Sequence, residues 1–221
     1  MTAPEPLAEA VERGTFLAML DGLLKAPFLA PGRRERLAAI RREAEARAVL
    51  SKELADFVRV MAPDFAPENV PVDPRRCLAE CIRSFRPLAV ERSLLLREEV
   101  DPAVPASFPG DPRRLAQIVT SLLSNAMKFT TEGTVSVRLA AAAVERTLLL
   151  DVRDTGPGLD DESLRHLFEP FFQGPGIAAR FGGSGLGLAV SRRLAQRMGG
   201  TLKAAAGTRG TLFRLTLPLA A

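Results

Sequence analysis

The run Gly182-Gly183-Ser184-Gly185-Leu186-Gly187-Leu188-Ala189 constrains this chain more than any other stretch, because it opens directly into the helical pattern LGLAVSRRLAQRMGG. Four glycines in six residues exclude a strand or helix interior. The following periodicity makes the run a loop that ends at a helix N-terminus. Such a loop presents free backbone N–H groups and the positive end of the helix dipole, which together suit phosphate. No strand immediately precedes it, so it is not the dinucleotide-binding fingerprint. No Gly-Lys-Ser/Thr follows, so it is not the P-loop.

Three further motifs precede it. The segment LAQIVTSLLSNAMKFT, residues 115–130, carries an apolar stripe of Leu115, Ile118, Val119, Leu122 and Leu123. Opposite it, Ser121, Asn125 and Lys128 stand at spacings of four and three, which puts them on one side of a helix. Asn125 offers a neutral oxygen to Mg²⁺ and Lys128 a charge to phosphate. Asp154-Thr155-Gly156-Pro157-Gly158 follows the strand pattern 148–153. Its glycines allow close backbone approach, and its carboxylate can accept from an exocyclic amine such as that of adenine. The same residues also make an ordinary turn. Phe168-Glu169-Pro170-Phe171-Phe172-Gln173 and the glycines after it read as an anchored, movable loop of the kind that covers a bound nucleotide.

In this order and spacing the four motifs resemble the N box, first glycine box, F box and second glycine box of the histidine-kinase catalytic domain, in the ATPase superfamily of gyrase, Hsp90 and MutL. SNAMKFT, DTGPG, FEPFFQ and RFGGSGLGLA carry the resemblance, which spans about residues 66–219. It implies ATP and Mg²⁺ as ligands. It places Asn125 on the metal, Lys128 on phosphate, and Asp154 on the adenine amine, with Gly156 and Gly158 shaping the base pocket. Arg180 matches a lid arginine. Gly183, Gly185 and Gly187, with Leu186 between them, line the phosphates. Thr211, in RGTLF, matches a threonine near an adenine-bound water.

The N-terminal quarter has two helical patterns. One covers 5–26, with Leu7, Val11, Leu17, Leu20 and Leu24, and the other about 33–61, with Leu37, Ile40, Ala44, Leu50, Leu54, Phe57 and Met61. The segment 27–32 breaks them apart. An antiparallel hairpin of this kind leaves apolar face uncovered, so the expectation is a homodimer through a four-helix bundle. The alternative is packing against its own C-terminal domain. The Pro-rich stretch 63–74 reads as the linker and the first strand of a new domain. The expected architecture is therefore α+β: a helical hairpin over 1–62, then an α/β sandwich of the histidine-kinase/Hsp90 type over 66–221. Helices are predicted at 73–90, 111–129 and 185–198. Strands are predicted near 94–100, at 134–142 and 146–153, and as a last hairpin over 200–217.

The hairpin resembles the family's dimerisation and phosphotransfer helices with one departure. Where the family has His-Glu-Leu-Arg-Thr-Pro-Leu, this chain has Ala10-Val11-Glu12-Arg13-Gly14-Thr15-Phe16, and only Arg13 agrees. Ala10 cannot carry phosphate. In the N box, Ser121 stands where a carboxylate or amide is usual, and a serine hydroxyl is too weak a base at neutral pH. His166, the only histidine of the 221 residues, lies in ESLRHLF and reads as structural. The function expected is a histidine-kinase-like, nucleotide-binding scaffold or regulator that meets a response regulator or partner histidine kinase. The alternatives are a kinase acting on a partner's histidine in trans, or a slow ATPase. A serine kinase of the anti-sigma type fits the hairpin poorly, and a phosphorelay protein fits the retained pocket poorly.

A net charge of +4 and arginines interleaved with glutamates (Arg33, Arg34, Glu35, Arg36, Arg41, Arg42, Glu43) indicate a solvated helix face, so no nucleic-acid partner is expected. No apolar run nears the roughly 20 residues a bilayer span needs, and no signal pattern opens the chain. A cytoplasmic location without membrane contact is expected. Cys77 and Cys81, four apart, are expected to be a reduced pair.

Overall fold

The structure, a computed structural model, describes residues 16–27, 29–142, 144–174, 183–207 and 209–219. These divide between Ala55 and Asp56 into two compact units.

In the first unit, α1 (residues 16–24) and the greater part of α2 (Pro31–Met61) form the expected hairpin. The first pattern's opening turns lie outside the described residues. Arg41 pairs with Asp21 of α1 and with Glu45 one turn on. Phe16, Met19, Leu23, Ile40, Val49, Leu50 and Leu54 are exposed on these helices. Arg33, Arg34, Arg36 and Arg42 face solvent, as their alternation with glutamate predicts, whereas Arg41 is half-buried against α1.

The second unit begins with the last turns of α2, where Val60 is fully buried in its core. Arg197 holds this helix end by donating to the Ala62 carbonyl at 2.6 Å and to that of Pro63 at 3.4 Å. The elements that follow are β1 (Val70–Val72), α3 (Pro74–Glu91), β2 (Leu95–Val100), β3 (Phe108–Gly110), α4 (Pro112–Phe129), β4 (Thr134–Ala142), β5 (Thr147–Asp154), α5 (Asp161–His166), α6 (Gly187–Arg197), β6 (Thr201–Ala206) and β7 (Thr211–Pro218). The sheet order is β2-β4-β5-β7-β6, in which β2 and β4 run parallel and the other neighbours antiparallel. β1 and β3 form a separate antiparallel ribbon. The α4 helix lies between α3 and α6 and packs on β4 and β5, while α3 meets β2 and α6 meets β6 and β7. This is the predicted mixed α+β arrangement, with three helices on the sheet.

Helix α4 forms where its sequence requires it. Pro112 sits in the first turn, and the Asp111 carboxylate accepts from the N–H groups of Arg113 and Arg114, each at 3.0 Å. It also accepts from Glu68 N–H at 3.0 Å, which ties the linker to the helix start. The predicted apolar stripe is the buried one, with Ile118, Val119, Leu122 and Leu123 all at 0% exposure. Asp111→Ala removes the acceptor of three N–H groups. Urea unfolding is expected to show a loss of about 2 kcal/mol, at the upper end for an N-cap.

Among the described residues, no helix is long and apolar enough to cross a membrane. Both cysteines are free and buried, as expected.

Candidate nucleotide site

Three segments far apart in sequence meet at one end of the sheet. Strand β5 delivers Asp154 at its last position, opposite Val135 of β4 and beside the start of β7. The residue is 5% exposed. Its carboxylate accepts from Gly156 N–H at 2.8 Å and from Thr211 N–H. Burial pushes the Asp154 carboxyl above the ordinary aspartate value, and the two backbone donors pull against it. Glycine is required around this carboxylate by contact. A Cβ on Gly156 would lie 2.9 Å from both Asp154 Oδ1 and the Phe129 carbonyl oxygen, so α4 ends against the turn after β5. Gly158 (φ 78°) approaches the Gly210 backbone in the same way.

The second segment is the polar side of α4. Ser121, Asn125 and Lys128 are all half-buried there. The Asn125 side chain makes no hydrogen bond among the described residues, so its amide oxygen is available to a ligand. The Lys128 ammonium lies 5.0 Å over the Phe129 ring.

The third segment is the glycine-rich loop, which lies against α4. A Cβ on Gly183 (φ 113°) would sit 2.7 Å from Lys128 Nζ, and one on Gly187 3.0 Å from Ser121 Oγ. Gly185 (φ 73°) leaves room for the backbone of Phe171 and Phe172, and its carbonyl accepts from Phe171 N–H at 3.1 Å. Leu186 is part of the core at 0% exposure, and its N–H donates to Ser184 Oγ at 3.0 Å. Thr211 is 6% exposed beside Asp154. Arg180 and the acceptor-equivalent Ala10 lie outside the described residues. His166 pairs through Nδ1 with Glu169 at 2.9 Å and stacks at a tilt on Phe172, which is the structural role expected of it.

Two further residues belong to the site, and sequence assigns them no role. Gly210 (φ 76°) lies so close to the Asp154 carbonyl that any Cβ would overlap it. Gln173 donates from Nε2 to the Gly183 carbonyl at 3.0 Å and ties the aromatic segment to the glycine loop, while its Oε1 is buried without a partner. The glycine before Thr211 was the available signal for the first. Nothing in sequence spacing marks the second.

Electrostatically, the site is a buried carboxylate at one end and a lysine beside glycine backbone at the other. The carboxylate accepts from an amine most strongly when ionised, and protonation turns one of its oxygens into a donor. Raising its folded-state pKa favours the protonated form. The residue therefore works against stability of the free protein at neutral pH, and that cost is relieved as pH falls through the raised value towards 3.8. Ligand binding has the opposite sign. ADP affinity is expected to be full at neutral pH and to fall on acidification, beginning above the range of an ordinary aspartate. Calorimetry across pH on the parent chain and Asp154→Asn checks this, since the variant should lack that component.

Residues 110–221 match the family described as histidine kinase-, DNA gyrase B- and HSP90-like ATPase. The sensor protein TorS of Escherichia coli (strain K12) is 34% identical over 189 residues, covering 84% of this chain and 20% of TorS. Sensor protein GacS of Pseudomonas syringae pv. syringae is 36% identical over 184 residues, covering 81% of this chain and 20% of GacS. The chain thus spans a fifth of the length of these relatives. Among solved structures, full-length ShkA in complex with AMPPNP superposes with a TM-score of 0.77 at 28% identity, covering 99% of this chain and 47% of that one.

Proposed function

Because the chain belongs to the histidine kinase-, DNA gyrase B- and HSP90-like ATPase family, with a histidine-kinase ATP-binding core, we propose that it binds ATP–Mg²⁺ as a regulator or scaffold in two-component signalling and does not phosphorylate itself on histidine. One observation carries the nucleotide reading: Asp154, the polar side of α4 and the glycine-rich loop meet around one another, as Gly156, Gly183 and Gly187 register. In this reading Asp154 accepts the adenine amine, and Gly156 and Gly158 shape the base pocket. Asn125 holds Mg²⁺ and Lys128 faces phosphate. Gly183, Gly185 and Gly187 supply backbone to the phosphates, Arg180 closes from the lid, and Thr211 supports the base. Bound Mg²⁺ supplies charge neutralisation of the polyphosphate. The available amide of Asn125 fits a neutral oxygen ligand for it.

The hairpin over 1–62 is the dimerisation element in this reading. Its exposed Phe16, Met19, Leu23, Ile40, Val49 and Leu50 support a second copy as the covering surface. The partner is a response regulator or a histidine kinase. The structure of the histidine kinase ThkA in complex with response regulator protein TrrA shares the fold (TM-score 0.67, 18% identity, 95% of this chain and 57% of that one) and supports the first choice. The absence of self-phosphorylation rests on Ala10, on Ser121 at the usual base position, and on His166 being the only histidine in the sequence.

The second reading keeps turnover: phosphorylation of a partner's histidine in trans, or slow hydrolysis. The glycines at 156, 158, 183, 185 and 187 favour it. γ-Labelled ATP with purified protein, alone and with candidate partners, separates the two. Binding without label transfer or phosphate release supports the regulator, and acid-labile label on a partner overturns it in favour of the kinase. Asn125→Ala is expected to weaken ATP binding about tenfold or more in Mg²⁺ and little in EDTA. Equal affinities under both conditions would remove Asn125 from the metal.

A further inference from the structure

Gln173 grips the glycine-rich loop, and the nucleotide reading gives it no task. Its Nε2 donates to the Gly183 carbonyl at 3.0 Å, while its Oε1 is buried with no partner among the described residues. Two residues earlier, Phe171 N–H donates to the Gly185 carbonyl at 3.1 Å. Phe171 makes that bond at φ 63°, in the left-handed region that disfavours a residue with a Cβ. An orphaned amide oxygen and a strained backbone both work against stability. Both belong to the hold of residues 171–173 on the carbonyls of 183 and 185, and unfavourable features gathered at one contact point to a function for it.

That function follows from the shape of a peptide unit. C=O and N–H point in opposite directions across a planar trans peptide. The Gly183 carbonyl faces Gln173, so the Ser184 N–H, in the same unit, points away from Gln173. This N–H makes no hydrogen bond among the described residues. The other carbonyl held, that of Gly185, shares its unit with Leu186 N–H, which already donates to Ser184 Oγ at 3.0 Å. Ser184 N–H is the donor left over. A Cβ on Gly183 would lie 2.7 Å from Lys128 Nζ, so the loop meets the ammonium at this unit. Gly183, at φ 113°, has the conformational freedom to let the unit flip. A flip would turn the carbonyl oxygen, with its partial negative charge, to the side where the N–H now points.

We propose that Gln173 is a positioning residue for polyphosphate. By fixing the Gly183 carbonyl it presents Ser184 N–H to an anion beside Lys128, and so makes the site discriminate ADP and ATP from adenosine. The assignment rests on the nucleotide reading and adds to it a specificity determinant outside the glycine-rich loop.

Gln173→Leu tests it, since leucine keeps the bulk and removes the donor. ADP affinity, measured by calorimetry, is expected to fall about tenfold, the scale of one hydrogen bond to a charged group. Adenosine affinity, measured by NMR titration, is expected to stay within about twofold of the parent. An equal loss for both ligands would mean a purely structural role and overturns the proposal. So does unchanged ADP affinity in the folded variant. A parent chain that takes up neither ligand removes the nucleotide reading, and this assignment with it. Equal ADP binding by parent and variant removes the assignment alone. If the variant fails to fold, the parent decides. Its Ser184 amide resonance should shift with ADP and stay in place with adenosine, and a resonance unmoved by ADP overturns the assignment.

Discussion

Replacing Asp154 with asparagine is expected to lower affinity for ADP and ATP by about a hundredfold or more while leaving the chain folded. The carboxylate is buried and already accepts from Gly156 N–H and Thr211 N–H, so its remaining lone pairs are the acceptors offered to a ligand. An amide keeps the shape but turns one oxygen into a donor, which then faces the adenine amine, also a donor. Losing a hydrogen bond to a charged group costs about 1.5–3 kcal/mol, and an unsatisfied buried donor about 1–3 more. At 1.4 kcal/mol per factor of ten, the sum of about 2.5–6 kcal/mol corresponds to about two to four orders of magnitude. The fold should tolerate the change, because removing the buried charge offsets part of the weakened backbone contacts. Calorimetry beside thermal unfolding separates the two effects. Affinity within threefold of the parent in a folded variant would take Asp154 out of the base pocket.

Gly210→Ala is expected to be the more damaging to stability. Gly210 has φ 76°, and any Cβ there would overlap the Asp154 carbonyl oxygen. A left-handed conformation costs an ordinary residue about 1–2 kcal/mol, and a backbone clash cannot be relieved by a rotamer change. A total of about 3–5 kcal/mol is expected, the scale of strain combined with overpacking. For a unit of this size that is a fall of roughly 10 °C in Tm. Because the displaced atoms belong to Asp154 and Thr155 in the turn after β5, nucleotide affinity should fall with it. A variant as stable as the parent would contradict the close approach of β7 to β5.

Much of this was legible because the signals are local. Asp111-Pro112 caps α4, the stripe from Leu115 to Leu123 buries it, and the structure places both as read. The glycine-rich run and the turn after β5 also announce themselves. β3 did not. It is Phe108-Pro109-Gly110, three residues whose only strand character is pairing with Val70–Val72 across the whole of α3, and neither propensity nor alternation marks it. Gly210 and Gln173 escaped assignment for a related reason. One matters through contact with a residue on another strand, and the other through a side chain that ties two loops. The acceptor-equivalent Ala10 and Arg180 rest on sequence alone.

Hydrogen exchange with and without saturating ATP–Mg²⁺ tests the convergence of segments most directly. Protection is predicted to appear together at residues 125–130, 154–158, 183–187 and 210–211, with little change at the far end of the sheet around Leu217 and Pro218. Nucleotide bound without protection at 154–158 and 183–187, or with protection confined to the far end, would contradict the site.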